Sequence, residues 1–121
     1  MGYTVAISLS KKGRRLRYVD LELGWWLGDL SVMPEWPPGI DPSVFLPQST
    51  SGDLEDVLQG EREPAALLEA IQIAEALVEK RTLPLGDFAG LDELSAAFAP
   101  VLSACEEAHR ARLPVYWLAI T

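Results

Sequence analysis

Tyr3-Thr4-Val5-Ala6-Ile7-Ser8-Leu9-Ser10 and Leu16-Arg17-Tyr18-Val19-Asp20-Leu21-Glu22-Leu23 flank the basic run Lys11-Lys12-Gly13-Arg14-Arg15, and their pattern decides the fold. Both stretches alternate apolar and polar residues, the period of a strand with one buried face. Setting Ser10 opposite Leu16 pairs Ile7 with Val19, Val5 with Leu21 and Tyr3 with Leu23 on a single face. A slip by one residue would turn the second strand's apolar set outward. The pattern therefore predicts an antiparallel hairpin with its loop at Lys11 to Arg15, where Gly13 takes any positive φ. Its other face carries Thr4, Ala6, Ser8, Tyr18, Asp20 and Glu22. Such a half-polar face suits a sheet covered by helices on one side.

Beyond the hairpin comes Gly24-Trp25-Trp26-Leu27-Gly28-Asp29. Neighbouring residues on a strand point to opposite faces, so Trp25 would continue the buried row and Trp26 would face outward; the flanking glycines allow a bend or bulge. Five prolines (Pro34, Pro37, Pro38, Pro42, Pro47) then fall within a short span. Proline lacks the amide donor that a ladder or helix interior needs, so residues 31–52 read as a loop, wrapped over the core through Trp36, Ile40, Val44, Phe45 and Leu46. Ser51-Gly52-Asp53 is placed to cap a short helical piece from Leu54 to Leu58.

Glu63-Pro64 opens a clear helix whose stripe is Leu67, Ala70, Ile71, Ala74, Leu77 and Val78, with Glu69, Gln72, Glu75 and Glu79 opposite. Leu94, Phe98, Val101, Leu102, Cys105 and His109 keep helical spacing across Pro100. That gives one kinked helix over 90–112, or two short ones abutting at Pro100. Val115-Tyr116-Trp117-Leu118-Ala119-Ile120 is a strand with two apolar faces, so either the proline-rich loop or a second subunit should cover it.

The expected fold is a single α+β domain over 1–121. An N-terminal hairpin and extension (3–30) and a C-terminal strand (115–120) form a small antiparallel or mixed sheet. The proline-rich loop (31–52), a helical region (53–81) and the kinked helix (90–112) complete it, with two helices packed on one face. The length of 121 residues fits one core, not two.

Ten Lys+Arg against eighteen Asp+Glu give a formal charge of -8. The basic residues of the first seventeen positions make one tip, and the remainder is acidic. This balance excludes general nucleic-acid binding, which needs a basic footprint; Lys11 to Arg17 read as a solvated loop. No apolar run is long enough to cross a bilayer, the first apolar stretch precedes the basic cluster instead of following it, and Ala6 stands where myristoylation wants Ser or Thr. A cytoplasmic protein without membrane contact is expected.

The chemistry-bearing motifs are sparse. There is no phosphate-binding glycine loop and no nucleophile elbow, and one Cys and one His cannot build a multi-Cys zinc site or a clustered-imidazole site. Glu106-Glu107-Ala108-His109 holds one Glu-x-x-His where a di-iron bundle needs two. Cys105 and His109 have the spacing of a thiolate–imidazolium pair, or else of a buried small residue and a helix-end cation. The acid pairs Asp20/Glu22 and Asp53/Glu55/Asp56 mark no cleft. The expectation is a protein that is not an enzyme and takes no cofactor or metal.

Tryptophan is the more telling signal, because Trp25, Trp26 and Trp36 stand among Asp20, Glu22, Asp29 and Glu35. Indoles rimmed by carboxylates suit a basic protein partner, charge speeding the encounter and the rings holding the complex. The candidate partner-binding residues are Tyr18, Asp20, Glu22, Trp26, Asp29 and Glu35, while Trp25 and Trp36 stay open between core and surface. Small size, acidity and few reactive groups are similar in general type to bacterial immunity or inhibitor proteins, an analogy without a shared motif. On it, the expected function is a non-enzymatic acidic protein-binding module that occludes a basic toxin or nuclease-like partner. The alternatives are a homodimeric structural subunit completed through the C-terminal strand and, third, a small-molecule-binding protein.

Overall fold

The apolar C-terminal run becomes the centre of a mixed sheet. The computed structural model describes residues 4–10, 15–50 and 57–121. In it Val115–Ile120 (β5) pairs antiparallel with Thr4–Ser8 (β1), placing Ile7 opposite Trp117 and Val5 opposite Ala119. On its other edge β5 pairs in parallel with Gln48–Thr50 (β3) and antiparallel with the two-residue strand Glu61–Arg62 (β4). Arg17–Tyr18 (β2) lies outside β1, so the main path runs β2-β1-β5-β3. Five α-helices complete the described residues, namely Leu21–Ser31 (α1), Pro42–Phe45 (α2), Pro64–Glu79 (α3), Leu91–Ala97 (α4) and Ala99–Ala111 (α5). The protein is α+β.

The second hairpin strand ends early. Ala6 faces Tyr18, Ile7 faces Arg17, and the Val19 amide donates to the Val5 carbonyl. This register is two residues away from the expected one. A two-residue shift keeps every side chain on its face, which is why alternation alone did not distinguish them. The expected pairing needed Leu21 and Leu23 in a strand, and both belong to α1 instead. Leu23, Trp26, Leu27 and Leu30 follow helical spacing and are all buried. Burying three leucines at about 1.5–3 kcal/mol each outweighs the roughly 1 kcal/mol that each of Gly24 and Gly28 costs a helix interior. The loop residues 11–14 and the proposed cap at 51–53, with Leu54 to Asp56, lie outside the described residues.

The proline-rich segment is more ordered than a loop. Asp41 caps α2 by accepting from the Ser43 amide and hydroxyl at 2.9 and 2.6 Å, with Pro42 at the first turn, where no amide is needed. The Ser43 hydroxyl and then its amide hold the Asp41 carboxyl below its usual range. After Pro47 the chain supplies β3, the parallel neighbour of β5. Phe45 points inward, where its carbonyl accepts the Trp117 indole N–H at 2.8 Å. Arg62 ties this segment to β4: its guanidinium donates to the carbonyls of Val44, Leu46, Gln59 and Glu61. Partial burial lowers its pKa, and Asp41 opposes that shift.

Two apolar clusters hold the sheet. The larger joins Val5, Ile7, Val115, Trp117 and Ala119 to buried residues of α1, α3, α4 and α5, among them Leu30, Ile71, Leu94 and Val101. The smaller lies on the alternate side chains of β5, where Tyr116 and Leu118 meet Val57, with Leu16 and Ile120 against them. A 3-10 turn, Val57–Gly60, provides this cover. A Cβ on Gly60 would stand 2.5 Å from Leu118 Cδ2 and 2.9 Å from the Trp117 carbonyl, so only glycine lets the turn lie this close. The second face of β5 is thus met within the chain by the 3-10 turn, with Gln48 of the proline-rich segment in register beside Leu118. Ala6 and Ser8 on β1 are buried too, so the outer face is less open than its polarity implied.

The helix expected over 90–112 is two helices meeting at Phe98, with Pro100 in the first turn of α5, where its missing amide costs nothing. α5 closes on Arg112 in the left-handed region, and the Leu113 amide returns to the Ala108 carbonyl at 2.9 Å.

Candidate protein-binding surface

α1 has two apolar faces, and only one of them is buried. The inner face centres on Trp26, which is 3% exposed. Its indole N–H donates to the Pro84 carbonyl at 2.8 Å, and its ring stands edge-on to Phe45 and Phe98 with centroids 6.0 and 6.1 Å away. Gly86, at φ +60, passes over the indole so closely that a Cβ would stand 3.1 Å from Trp26 Cδ1. The expectation that Trp26 faces a partner is therefore corrected. On a helix, neighbours differ by about 100°, not by the half-turn of a strand, and Trp26 belongs to the inward stripe with Leu23, Leu27 and Leu30.

Trp25 takes the outward place and is 50% exposed, which corrects the strand reading in which it continues the buried row. Leu21 and Val32 are 60% and 80% exposed, and the spacing by four, three and four residues puts Leu21, Trp25 and Gly28 on one side of α1, with Val32 at its C-cap continuing the row. Glu22 and Asp29 are exposed and seven apart, nearly two full turns, so both border the same edge of this stripe. Asp20 is exposed at the N-cap, where a carboxylate also complements the helix dipole. Tyr18, 57% exposed on β2, lies just before the helix. Glu35 is exposed on the loop beyond it, and Trp36 is half-buried edge-on to Phe45 at 6.4 Å. α1 thus carries Asp20, Glu22 and Asp29 beside exposed apolar side chains, and the indole among them is Trp25.

The Cys-His and Glu-x-x-His residues lie on α5, not on this surface. Cys105 is fully buried, and burial, with Glu106 adding, pushes its thiol up to about 12; at neutral pH it is a small apolar residue, not a thiolate. His109 is exposed in a groove of about 540 Å³ with Glu61, Arg62, Glu63 and Arg112. Glu107 is engaged by Arg17 in an exposed ion pair. Among the described residues no three His, Cys, Asp or Glu side chains group as a metal site would require, and no helix is long and apolar enough to cross a membrane.

No protein-family model matches the chain, and neither does any curated protein or solved structure.

Proposed function

We propose that the protein is a non-enzymatic binding module whose α1 outer face docks a basic protein. The occupied surface is Leu21, Trp25 and Val32, with Asp20, Glu22 and Asp29 beside them and Tyr18 at the near end. One observation carries this reading: an indole left half open to water in the middle of an apolar stripe, on a helix with no basic residue. A solvent-facing helix surface ordinarily carries polar side chains, and exposed apolar patches rimmed by polar residues mark interaction sites. The acids speed encounter with a positively charged surface and the indole supplies the area that holds it. The reading takes α3 and α5 as the pair of helices on one sheet face, leaving the far side of α1 free. An inhibitor-type role, covering the active site of a toxin or nuclease, is the form that fits a small acidic partner. The homodimer alternative rested on an uncovered face of β5, and that ground is withdrawn because Tyr116 and Leu118 are 4% and 0% exposed within one chain.

Retention of proteins from the source organism by immobilised wild type and by Trp25→Ala, each at low salt and at ~0.5 M salt, tests the proposal. A basic protein held by wild type at low salt, released by salt and not held by Trp25→Ala is the expected result. Equal retention by the variant, or a partner indifferent to salt, overturns it.

A further inference from the structure

The spacing on α1 says what kind of element the partner presents. We infer that the outer face of α1 receives an amphipathic helix, apolar along its seam and basic along the edge that meets Glu22 and Asp29. This rests on the proposal that α1 is the docking surface, and it goes further by naming the structure of the ligand.

Steps of four, three and four are those of the a and d positions in a heptad, the pattern by which one helix seats its side chains between those of another. With Trp25 as an a position, Val32 at the C-cap continuing that row, and Leu21 and Gly28 as d positions, Glu22 and Asp29 both fall at e, and Gly24 and Ser31 fall at g. One flank is therefore doubly acidic and the other is small and uncharged. Gly28 leaves a gap in the seam between Trp25 and Val32, and a large apolar side chain of the incoming helix fills it. The eleven residues of α1 give about 16 Å of contact, three turns of a partner helix.

The same geometry disfavours a second copy of this chain. Laid antiparallel, two α1 helices bring their e positions together, so Glu22 and Asp29 meet carboxylates; laid parallel, they meet Gly24 and Ser31. Neither arrangement supplies a cation. The occupant is a different, basic helix.

Two synthetic peptides of about 18 residues, long enough to hold helical structure, test this. The first has Leu at a and d and Lys along the flanks; the second has the same composition rearranged to alternate Leu and Lys with a period of two. Each is titrated at ~50 mM salt into isotope-labelled protein while the backbone amides are followed by NMR. The helical peptide is expected to shift the signals of residues 21–32 and to bind about tenfold or more tighter than the alternating one. Glu22→Lys/Asp29→Lys should weaken it about tenfold. Glu69→Lys/Glu79→Lys, which changes the net charge equally on exposed positions of α3, should leave it within about twofold. Equal binding of both peptides at α1 overturns the helix and leaves the acidic docking surface standing. If neither peptide shifts α1, or both charge variants weaken binding alike, the docking surface falls with it.

Discussion

α1 and α3 are both rich in apolar residues and both pack against the same core, yet they treat water differently. α3 buries Leu67, Ala70, Ile71, Ala74 and Val78 and turns Glu69, Gln72 and Glu79 outward. Even its half-buried Glu75 is employed, accepting from the Ser95 hydroxyl of α4 at 2.7 Å. α1 buries Leu23, Trp26, Leu27 and Leu30, yet it leaves Leu21, half of Trp25 and, at its C-cap, Val32 in solvent. A helix needs a single apolar stripe to fold onto a core. The second stripe of α1, half covered at Trp25, is more than that requires, and it is the ground of the proposed docking face.

The sharpest way to break the comparison is to swap what each face of α1 loses. Trp26→Ala removes a buried indole, two ring contacts and the bond to Pro84, and should cost about 3–5 kcal/mol in chemical denaturation. A cost under about 1 kcal/mol would mean that Trp26 is not the inner anchor.

The core beneath both helices is probed by pH. Cys105 keeps its proton in the folded state up to about 12, whereas the unfolded thiol releases it near 9.0. Above 9.0 the unfolded chain thus binds fewer protons than the folded one, and stability falls as pH rises toward 12. The slope is up to about 1.4 kcal/mol per pH unit, to be read as the difference between wild type and Cys105→Ala in denaturation at stepped pH. Identical slopes would refute the buried thiol.

On the α3 side, Glu75→Ala should cost about 1 kcal/mol, the scale of one hydrogen bond to a charged acceptor on a partly buried site. Smallest of all, Trp25→Ala should move stability by no more than about 0.5 kcal/mol while abolishing capture of a partner. A loss near that of Trp26→Ala would erase the distinction between the two faces.

The contrast between these helices also explains what could be read from the residues alone. α3 has one stripe at one period, opened by Glu63-Pro64, and its position is legible within a residue or two. The same holds for β5, whose limits are those expected. At Leu16 to Leu30 two periods coexist, because Val19, Leu21 and Leu23 satisfy a strand while Leu23, Trp26, Leu27 and Leu30 satisfy a helix. Gly24 and Gly28 tilt a local reading against the helix, and only the core contributed by distant segments reverses it. The exposure of the two indoles was misread for the same reason: on a strand Trp26 points away from Trp25's row, and on a helix Trp26 is the one that turns in. Asp20, Glu22 and Asp29 are solvent-facing under either reading, so they stay in the proposed surface, whereas Leu21, Trp25 and Val32 enter it only once the segment is a helix. β3 could not be anticipated, since a three-residue parallel strand after Pro47 depends on a neighbour seventy positions further along the chain.

That long reach has a consequence for how the molecule is made. Every strand that β5 touches precedes it in the chain, so during synthesis β3 and β4 have no ladder to join, and β1 has only the two-residue β2, until residues 115–120 leave the ribosome. Nascent chains ending before Val115 should be protease-sensitive and prone to clump through their open edges, and protection should arrive in one step as the central strand threads into place.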